Sequence, residues 1–358
     1  MGKEGFWSSF ERDCFMSFNR LALLRRMFQG PSVRASRRSQ ISCSAEQFEV
    51  RILPAGNVTA TLVGDNLVLA GDSEDNSVRI EVDGGNVIVT GLDGTTINGD
   101  PDFDTGLTSI AGDVVVELGK GDDTLAIGDT VVIEGSLRVT DKSGATTLGL
   151  RSVEIQGDLV VNTGKKNDRI SLVDTSVAGD AKIATHRGKD LVSISQSTVT
   201  GALEVLTGRG TDGVVVDDST LSDSARLDTG RGRDAALIRD TTIAEDLSAK
   251  TGRGRDFLML DDSTIEGKTE ALMQQGNDAF VTQDTVEFKG DAVIRGGRGR
   301  KDAIDLSVGT TFDAGQKVRG FRIESVPTSL IDSILDDPDT GLLTLASDLQ
   351  DEIDDLLA

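Results

Sequence analysis

Apolar and polar residues along most of this chain follow a pattern that returns every 22 residues. The clearest copies are TGRGTDGVVVDDSTLSDSARLD from Thr207, TGRGRDAALIRDTTIAEDLSAK from Thr229 and TGRGRDFLMLDDSTIEGKTEAL from Thr251. Within each copy, short apolar runs alternate with period two, as in β-strands, and Gly, Asp, Ser and Thr separate them, as in turns. The pattern predicts one small β unit that is repeated many times.

The repeat keeps a strict register, because equivalent residues stay 22 positions apart over many copies. One aspartate column, with a two-residue insertion before its last member, comprises Asp168, Asp190, Asp212, Asp234, Asp256, Asp278 and Asp302. A second polar column comprises Asp174, Gln196, Asp218, Asp240, Asp262 and Asp284. About nine copies fit between residues 112 and 313.

A unit of this size is too small to bury a core of its own. Stacked units bury one continuous core and pair each strand with its copies above and below. The predicted fold is therefore all-β, a right-handed parallel β-helix (solenoid) of about nine coils within residues 112–324. The pairs that begin at Ser197, Ser219, Thr241 and Ser263 are expected to stack as ladders at one corner.

The two ends of the chain differ from the repeats. Residues 57–111 contain alternating segments with turns at Gly64–Asn66 and Asp83–Asn86, which predicts an N-terminal β cap made of hairpins. Residues 325–358 form an acidic segment in which apolar residues recur at helical spacing after Asp339, the expected N-cap. We expect this helix to fold over the last coil and cover its open strands. A partner-binding helix is the alternative.

Charge and composition narrow the functional classes. The formal net charge is −23, and residues 1–56 alone carry a basic excess of +4. An acidic body argues against nucleic-acid binding. The sequence contains no run of about 18 apolar residues, so we expect no transmembrane helix. The single histidine, His186, offers little basis for a His-rich metal site or a Ser-His-Asp relay. Both cysteines, Cys14 and Cys43, precede the repeats, so we expect no disulfide or Cys metal site in the body.

The run EQFEVRILPAG, from Glu46, resembles the "LEPR-XLL" segment of large secreted and surface proteins of planctomycete-type bacteria. It has Phe48 and Val50 where that family has Leu and Pro, and it follows an Arg-rich stretch, as in the family. Asn57–Thr61 and Asp93–Gly99 look like the repeats of these proteins. The resemblance implies that residues 1–56 are a largely disordered export or targeting segment. It also implies an extracellular or cell-surface location, among cell-envelope components.

The turn Gly-x-Gly-x-Asp-x-apolar is similar to the haemolysin-type calcium nonapeptide, whose stacked turns hold Ca²⁺ through Asp carboxylates and Gly carbonyls. Here the motif occurs once per 22-residue coil, and its variable positions hold Arg or Lys. The resemblance implies Ca²⁺ as a candidate cofactor. The candidate ligands are Asp122, Asp123, Asp212, Asp234, Asp256 and Asp278.

A column of basic residues accompanies the first aspartate column. The seven turns that end at the aspartates of that column together contain 12 basic and seven acidic residues. Carboxylates stacked about 4.8 Å apart repel one another by roughly 0.9 kcal/mol per pair in water and about 3.5 kcal/mol at a surface-like dielectric. In one interpretation the basic side chains replace calcium and pair with these or neighbouring acids. In the other they form a stripe that binds a polyanion such as an acidic surface polysaccharide. The stripe residues are Arg187, Arg209, Arg231, Arg253 and Arg298.

These observations favour a non-catalytic secreted or cell-surface solenoid with a structural or adhesive role. A calcium-binding repeat protein is the first alternative, and a polysaccharide lyase or hydrolase is the second, because β-helices often carry such sites. The paired acids Asp217–Asp218 and Asp261–Asp262 belong to the repeat itself, whereas a catalytic cluster normally breaks a repeat. We therefore predict that the protein is not an enzyme.

Overall fold

The structure, a computed structural model, describes residues 56–323, 325–335 and 341–357. The chain forms the predicted solenoid, because each strand of one coil pairs in parallel with the equivalent strand of the next coil. The LEPR-XLL-like run from Glu46, apart from Gly56, lies outside the described residues, as do both cysteines.

Three sheets run along the solenoid. Sheet 1 contains Asn57–Val63, Asn66–Ala70, Thr96–Ile97, Val114–Lys120, Leu137–Ser143, Leu159–Asn162, Ala181–Ala184, Leu203–Leu206, Ala225–Asp228, Leu247–Lys250, Thr269–Leu272, Ala292–Arg295 and Gln316–Arg319. Sheet 3 contains Arg187–Gly188, Arg209–Gly210, Arg231–Gly232, Arg253–Gly254 and Gln275–Gly276.

Sheet 2 has a long and a short strand in most coils. Its longer strands are Asp123–Ile127, Thr146–Arg151, Arg169–Val173, Leu191–Ser195, Gly213–Asp217, Ala235–Arg239, Phe257–Ile265, Ala279–Phe288 and Ala303–Asp305. Its short strands are Val132–Ile133, Glu154–Ile155, Ser176–Val177, Thr198–Val199, Thr220–Leu221, Thr242–Ile243 and Thr311–Phe312. The strands Ser77–Asp83, Asn86–Gly91 and Asp102–Asp104 complete it.

Identical positions of successive coils stack inside the solenoid. Val192 pairs with Val214, Val214 with Ala236, Ala236 with Leu258 and Leu258 with Phe280, and each of these side chains is at most 2% exposed. The core is therefore one continuous column of apolar layers, as expected when a small unit buries its inner face only against its copies.

The predicted Ser/Thr ladder is confirmed at the corner between the long and short strands of sheet 2. The backbone N–H of Ser197 donates to Ser219 Oγ, that of Ser219 to Thr241 Oγ1, and that of Thr241 to Ser263 Oγ. Because each side chain satisfies a buried N–H of the preceding coil, the hydroxyl column holds neighbouring corners in register.

Two hairpins form the N-terminal end of the solenoid, as predicted. Val63 pairs with Asn66, and Asp83 pairs with Asn86, each across a two-residue loop. The strands Asn66–Ala70 and Ser77–Asp83 then pair in parallel with the first coil.

The acidic C-terminal region contains two helices, α1 (Thr328–Leu335) and α2 (Leu342–Leu357). The expected placement of the helix over the last coil is wrong. α2 lies along the side of the solenoid, against the outer face of sheet 2, from Gly213 near Leu342 to Gly128 near Leu357. Asp339, the expected N-cap, lies outside the described residues.

The apolar outer face of sheet 2 explains this position. Val215, Leu237 and Met259 point away from the core, yet they are at most 2% exposed because α2 and α1 form a second apolar cluster with them. Leu342, Ala346, Leu349 and Ile353 supply the buried side of α2. An apolar strip along several coils has to be covered, so the helix packs there and not over the end.

The predicted two-residue insertion before Asp302 is split in the structure. Asp261 pairs with Gln283, 22 residues on, whereas Ser263 pairs with Val286, 23 residues on, so one extra residue enters at a bulge beside Asp284 and Thr285. The second extra residue lies between Gly299 and Asp302, because Gly299 lies over Gly276, 23 residues earlier, whereas Asp302 follows Asp278 by 24 residues.

Candidate functional site: the Arg edge

The stripe arginines form one straight column on sheet 3. Arg187 pairs with Arg209, Arg209 with Arg231 and Arg231 with Arg253, and Gln275 follows. The Arg298 N–H donates to Gln274 O at 2.8 Å, as the N–H at equivalent positions does, so Arg298 continues the column beyond the last strand of the sheet. All five arginines are exposed. We call Arg187, Arg209, Arg231, Arg253 and Arg298 the Arg edge.

Two glycines per coil make this edge possible. The first, as in Gly230, has φ +86, a left-handed conformation that glycine adopts without steric cost. The second allows the backbones of adjacent coils to approach closely, because a Cβ on Gly232 would lie 1.4 Å from the Gly210 carbonyl oxygen. The Gly-Arg-Gly sequence therefore places only the arginine side chains outside the narrow turn.

A shallow groove, lined in part by the turn glycines, runs beside the arginines. One stretch, of about 560 Å³, is lined by Lys142, Lys165, His186, Arg187 and Arg209 among others. A second stretch of about 330 Å³ continues it along Arg231 and Arg253. His186 replaces the first glycine of its turn, takes φ +64, and places its Nε2 2.7 Å from Asn162 Oδ1. The His186 side chain is exposed.

The aspartates of the same turns point the other way. Asp168, Asp190, Asp212, Asp234, Asp256, Asp278 and Asp302 are at most 3% exposed. From Asp168 to Asp278, the backbone N–H of each aspartate donates to Oδ1 of the aspartate in the next coil, at 2.9–3.2 Å. We call these seven residues the Asp column. It fills the inner side of the turn whose outer side is the Arg edge.

Burial changes the ionisation of the Asp column. Loss of water raises the pKa of Asp168, Asp190, Asp256 and Asp278 to about 7, that of Asp212 to about 6 and that of Asp234 to about 8. Hydrogen bonds from backbone N–H groups oppose the shift but do not cancel it. Near neutral pH the column is therefore partly protonated, which relieves the repulsion between neighbouring carboxylates.

The interpretation in which the arginines pair with the aspartates is wrong. Backbone N–H groups bind the aspartate Oδ1 atoms, and threonine hydroxyls bind Oδ2 of Asp168 and Asp190. Across residues 56–323, 325–335 and 341–357, no Arg-edge side chain forms an ion pair. The nearby Glu204 and Asp228 are paired with Arg226 instead.

The candidate calcium ligands occupy two different environments. Asp122 is exposed, and its Oδ1 accepts the Ala145 N–H. Asp123, Asp212, Asp234, Asp256 and Asp278 are buried, and their Oδ2 atoms have no hydrogen-bond partner among the described residues. In that part of the chain, these turns bring no three carboxylates within 4.8 Å of one another. A calcium site here would need backbone carbonyls for most of its ligands.

The paired acids of the second column also differ between coils. Asp217 is held by Arg239, whose Nε and Nη2 donate at 2.7 and 2.8 Å. Asp261 instead lies with Asp262 and Asp284, one carboxylate oxygen of each within 4.8 Å of the others. Sequence reasoning missed this cluster. The available signal was the spacing to the next copy, which changes from 22 residues at Gln283 to 23 residues at Val286.

No protein-family model matches the chain, and neither the search of curated proteins nor the search of solved structures gave a match. Neither α1 nor α2 has the length and hydrophobicity that a helix needs to span a membrane, and no other helix occurs among the described residues.

Proposed function

We propose that this protein is a non-catalytic, secreted or cell-surface β-solenoid with a structural or adhesive role, and that its Arg edge binds an acidic polysaccharide. The observation that carries the proposal is the Arg edge itself, whose stacked, exposed arginines have no acidic partner among the described residues. The aspartates that accompany them in sequence are buried beneath them, so the outer surface of these turns is basic.

The chemistry of the edge suits a linear polyanion. Adjacent coils repeat about every 4.8 Å, so from Arg187 to Arg253 the edge offers one arginine per coil, and Gln275 separates these from Arg298. Each guanidinium is planar and can bind a carboxylate or sulfate through two N–H groups. The groove extends past several coils, which accommodates a chain more readily than a compact ligand.

Binding to alginate and heparin, measured by titration calorimetry at two salt concentrations, tests the proposal. The triple variant Arg209→Ala, Arg231→Ala, Arg253→Ala should bind at least tenfold more weakly, and added salt should weaken binding of the wild type. The matched control is Arg138→Ala, Lys268→Ala, Lys317→Ala, which removes the same charge from exposed positions around sheet 1. Equal losses in both variants would reduce the effect to net charge, and salt-independent binding that survives the first variant would refute the proposal.

The location is tested separately, by protease accessibility of the protein on intact cells. We expect digestion of the surface-exposed chain without lysis. Protection until the cells are broken would contradict a secreted or cell-surface role.

A calcium-stabilised repeat module is the second candidate function. The unpaired Oδ2 atoms of the Asp column favour it, because each is a buried oxygen free to accept a cation or a proton. If calcium is bound there, a chelator should lower the melting temperature of the wild type but not that of Asp234→Asn. Release of unsaturated or reducing products from an acidic polysaccharide would instead support the enzyme alternative.

A further inference from the structure

We infer that Asp261, Asp262 and Asp284 form a binding site for a hard divalent cation, Ca²⁺ in preference to Mg²⁺, which links two successive coils. The site lies on sheet 2, at the corner after the long strands, and not in the glycine-rich turns of the Arg edge. It goes beyond the proposed polysaccharide binding and does not depend on it.

Three carboxylates converge at this corner. One oxygen of each lies within 4.8 Å of the others, the separation at which a single ion can contact all three. Asp261 and Asp262 belong to one coil, and Asp284 belongs to the next. Oxygen-rich sites with flexible geometry are the sites that Ca²⁺ prefers, and water molecules can complete its six to eight ligands where Asp262 and Asp284 are exposed.

The Asp261 carboxylate is the independent sign of a missing ligand. Asp261 is only 8% exposed, and its Oδ1 is buried without a hydrogen-bond partner among the described residues. A buried carboxylate oxygen without a partner is costly, because it has lost water and gained nothing in exchange. Its carboxylate is directed at two others that would repel it in the absence of a cation.

Among the described residues no ion pair neutralises this charge, and Arg239 of the preceding coil offsets it only by a coulombic attraction. Two coils earlier, Asp217 receives both donors of the Arg239 guanidinium. The same Arg239 lies 3.6 Å from Asp240. Within the described part of the chain, no basic side chain forms an ion pair with Asp261, Asp262 or Asp284. The position that arginine fills for Asp217 is thus left for a cation at Asp261.

A backbone irregularity lies beside the third ligand. At this corner the strands Phe257–Ile265 and Ala279–Phe288 run on continuously, whereas earlier coils have a separate long and short strand. The extra residue beside Asp284 forms a bulge, and the Thr285 N–H donates to Asp262 Oδ1 at 3.1 Å. Asp284 itself keeps the left-handed backbone of its column, with φ +47 against +40 at Asp262, and the extra residue follows it.

Calorimetric titration of the full, metal-stripped chain with CaCl₂ and separately with MgCl₂, at pH 7.5, tests the site. Asp262→Asn and Asp284→Asn should each lower the Ca²⁺ affinity at least tenfold. The matched control is Asp218→Asn, an exposed aspartate at the same register position with the same left-handed backbone, which should bind like the wild type. Circular dichroism of each variant checks the fold, because asparagine tolerates this conformation.

Several results would overturn the inference. Wild-type affinity in Asp262→Asn and Asp284→Asn would remove the site, as would an equal loss in Asp218→Asn. Loss of binding in Asp234→Asn alone would place the ion in the turns. Mg²⁺ bound as tightly as Ca²⁺ would overturn the choice of calcium.

Discussion

The Arg edge and the outer face of sheet 2 are built by the same 22-residue repeat, yet the first is exposed to solvent and the second is buried. On the Arg edge the repeated residue is a charged side chain, and the column is left exposed. On sheet 2 the repeated outward residues Val215, Leu237 and Met259 are apolar, and the C-terminal helices cover them. The comparison shows that a solenoid repeats whatever residue a single position carries, so one choice of residue makes either a continuous exposed charged column or a continuous apolar strip that has to be covered.

The largest effect is expected at the covered face. Leu349 of α2 is fully buried against sheet 2, so Leu349→Ala should cost about 2–5 kcal/mol and lower the melting temperature by roughly 5–15 °C. Ser347→Ala, on the exposed side of the same helix, is the control and should change little. A small effect of Leu349→Ala in thermal unfolding would mean that the solenoid does not depend on its helical cover.

A smaller effect is expected beneath the Arg edge. Gly230 and Gly99 have nearly the same backbone, φ +86 and +88, but a Cβ on Gly230 would meet the Gly208 carbonyl oxygen at 2.1 Å, whereas a Cβ on Gly99 meets nothing within 4 Å. Gly99→Ala should therefore cost about 1 kcal/mol, from backbone strain alone. Gly230→Ala should cost at least about 2 kcal/mol more, because neighbouring coils must separate. Equal losses by denaturant titration would show that the turns are not closely packed.

The Asp column predicts an unusual pH dependence. Its pKa values near 6–8 lie above the ordinary 3.8, so the folded chain binds more protons than the unfolded chain between about pH 4 and 8. Stability should therefore increase as pH falls from 8 to 5, with a rise in melting temperature of about 5 °C or more. Asp234→Asn should flatten this profile and stabilise the protein at pH 8. A column that is filled with calcium would give the opposite trend, since acid would displace the ion.

The smallest effect on stability is expected from the Arg edge itself. Its side chains are exposed and form no ion pair among the described residues, so Arg209→Ala, Arg231→Ala, Arg253→Ala removes no stabilising contact and should shift the melting temperature by less than about 2 °C. A marked destabilisation would mean that these side chains support the fold, and the contrast with α2 would disappear.

Much of this architecture could be predicted, because a repeat turns local residue preferences into a global rule. The 22-residue spacing of Asp190, Asp212 and Asp234 identifies coils and columns, and the Ser/Thr pairs identify a corner. The spacing does not reveal which side of a turn a column faces. Pairing of the Asp column with the arginines is therefore one of the interpretations that the sequence leaves open, although the backbone hydrogen bonds of the column place it inside.

The position of α2 and the acidic cluster escaped prediction for related reasons. Strict alternation assigns Val215 and Leu237 to a solvent face, and only their apolar character, coil after coil, indicates that something covers them. The cluster at Asp261 depends on a one-residue change of register, which the sequence shows only as a displaced next copy. The regular part of a repeat fold can be predicted from the sequence, whereas the deviations from the repeat become clear only in the structure.

The course of α2 also determines how the solenoid can be held. Its last turn returns to the first coil, where Leu357 lies over Gly128 and Arg79 donates to the Leu356 carbonyl oxygen. Gly56, which bonds to Asp75 O, lies in the hairpins at the same end. Attachment through either residue 56 or residue 357 would therefore hold the solenoid at the same end. The opposite end, with the strand Gln316–Arg319, would then point away from the point of attachment. The arginines of the Arg edge would be spaced along the solenoid between the two ends.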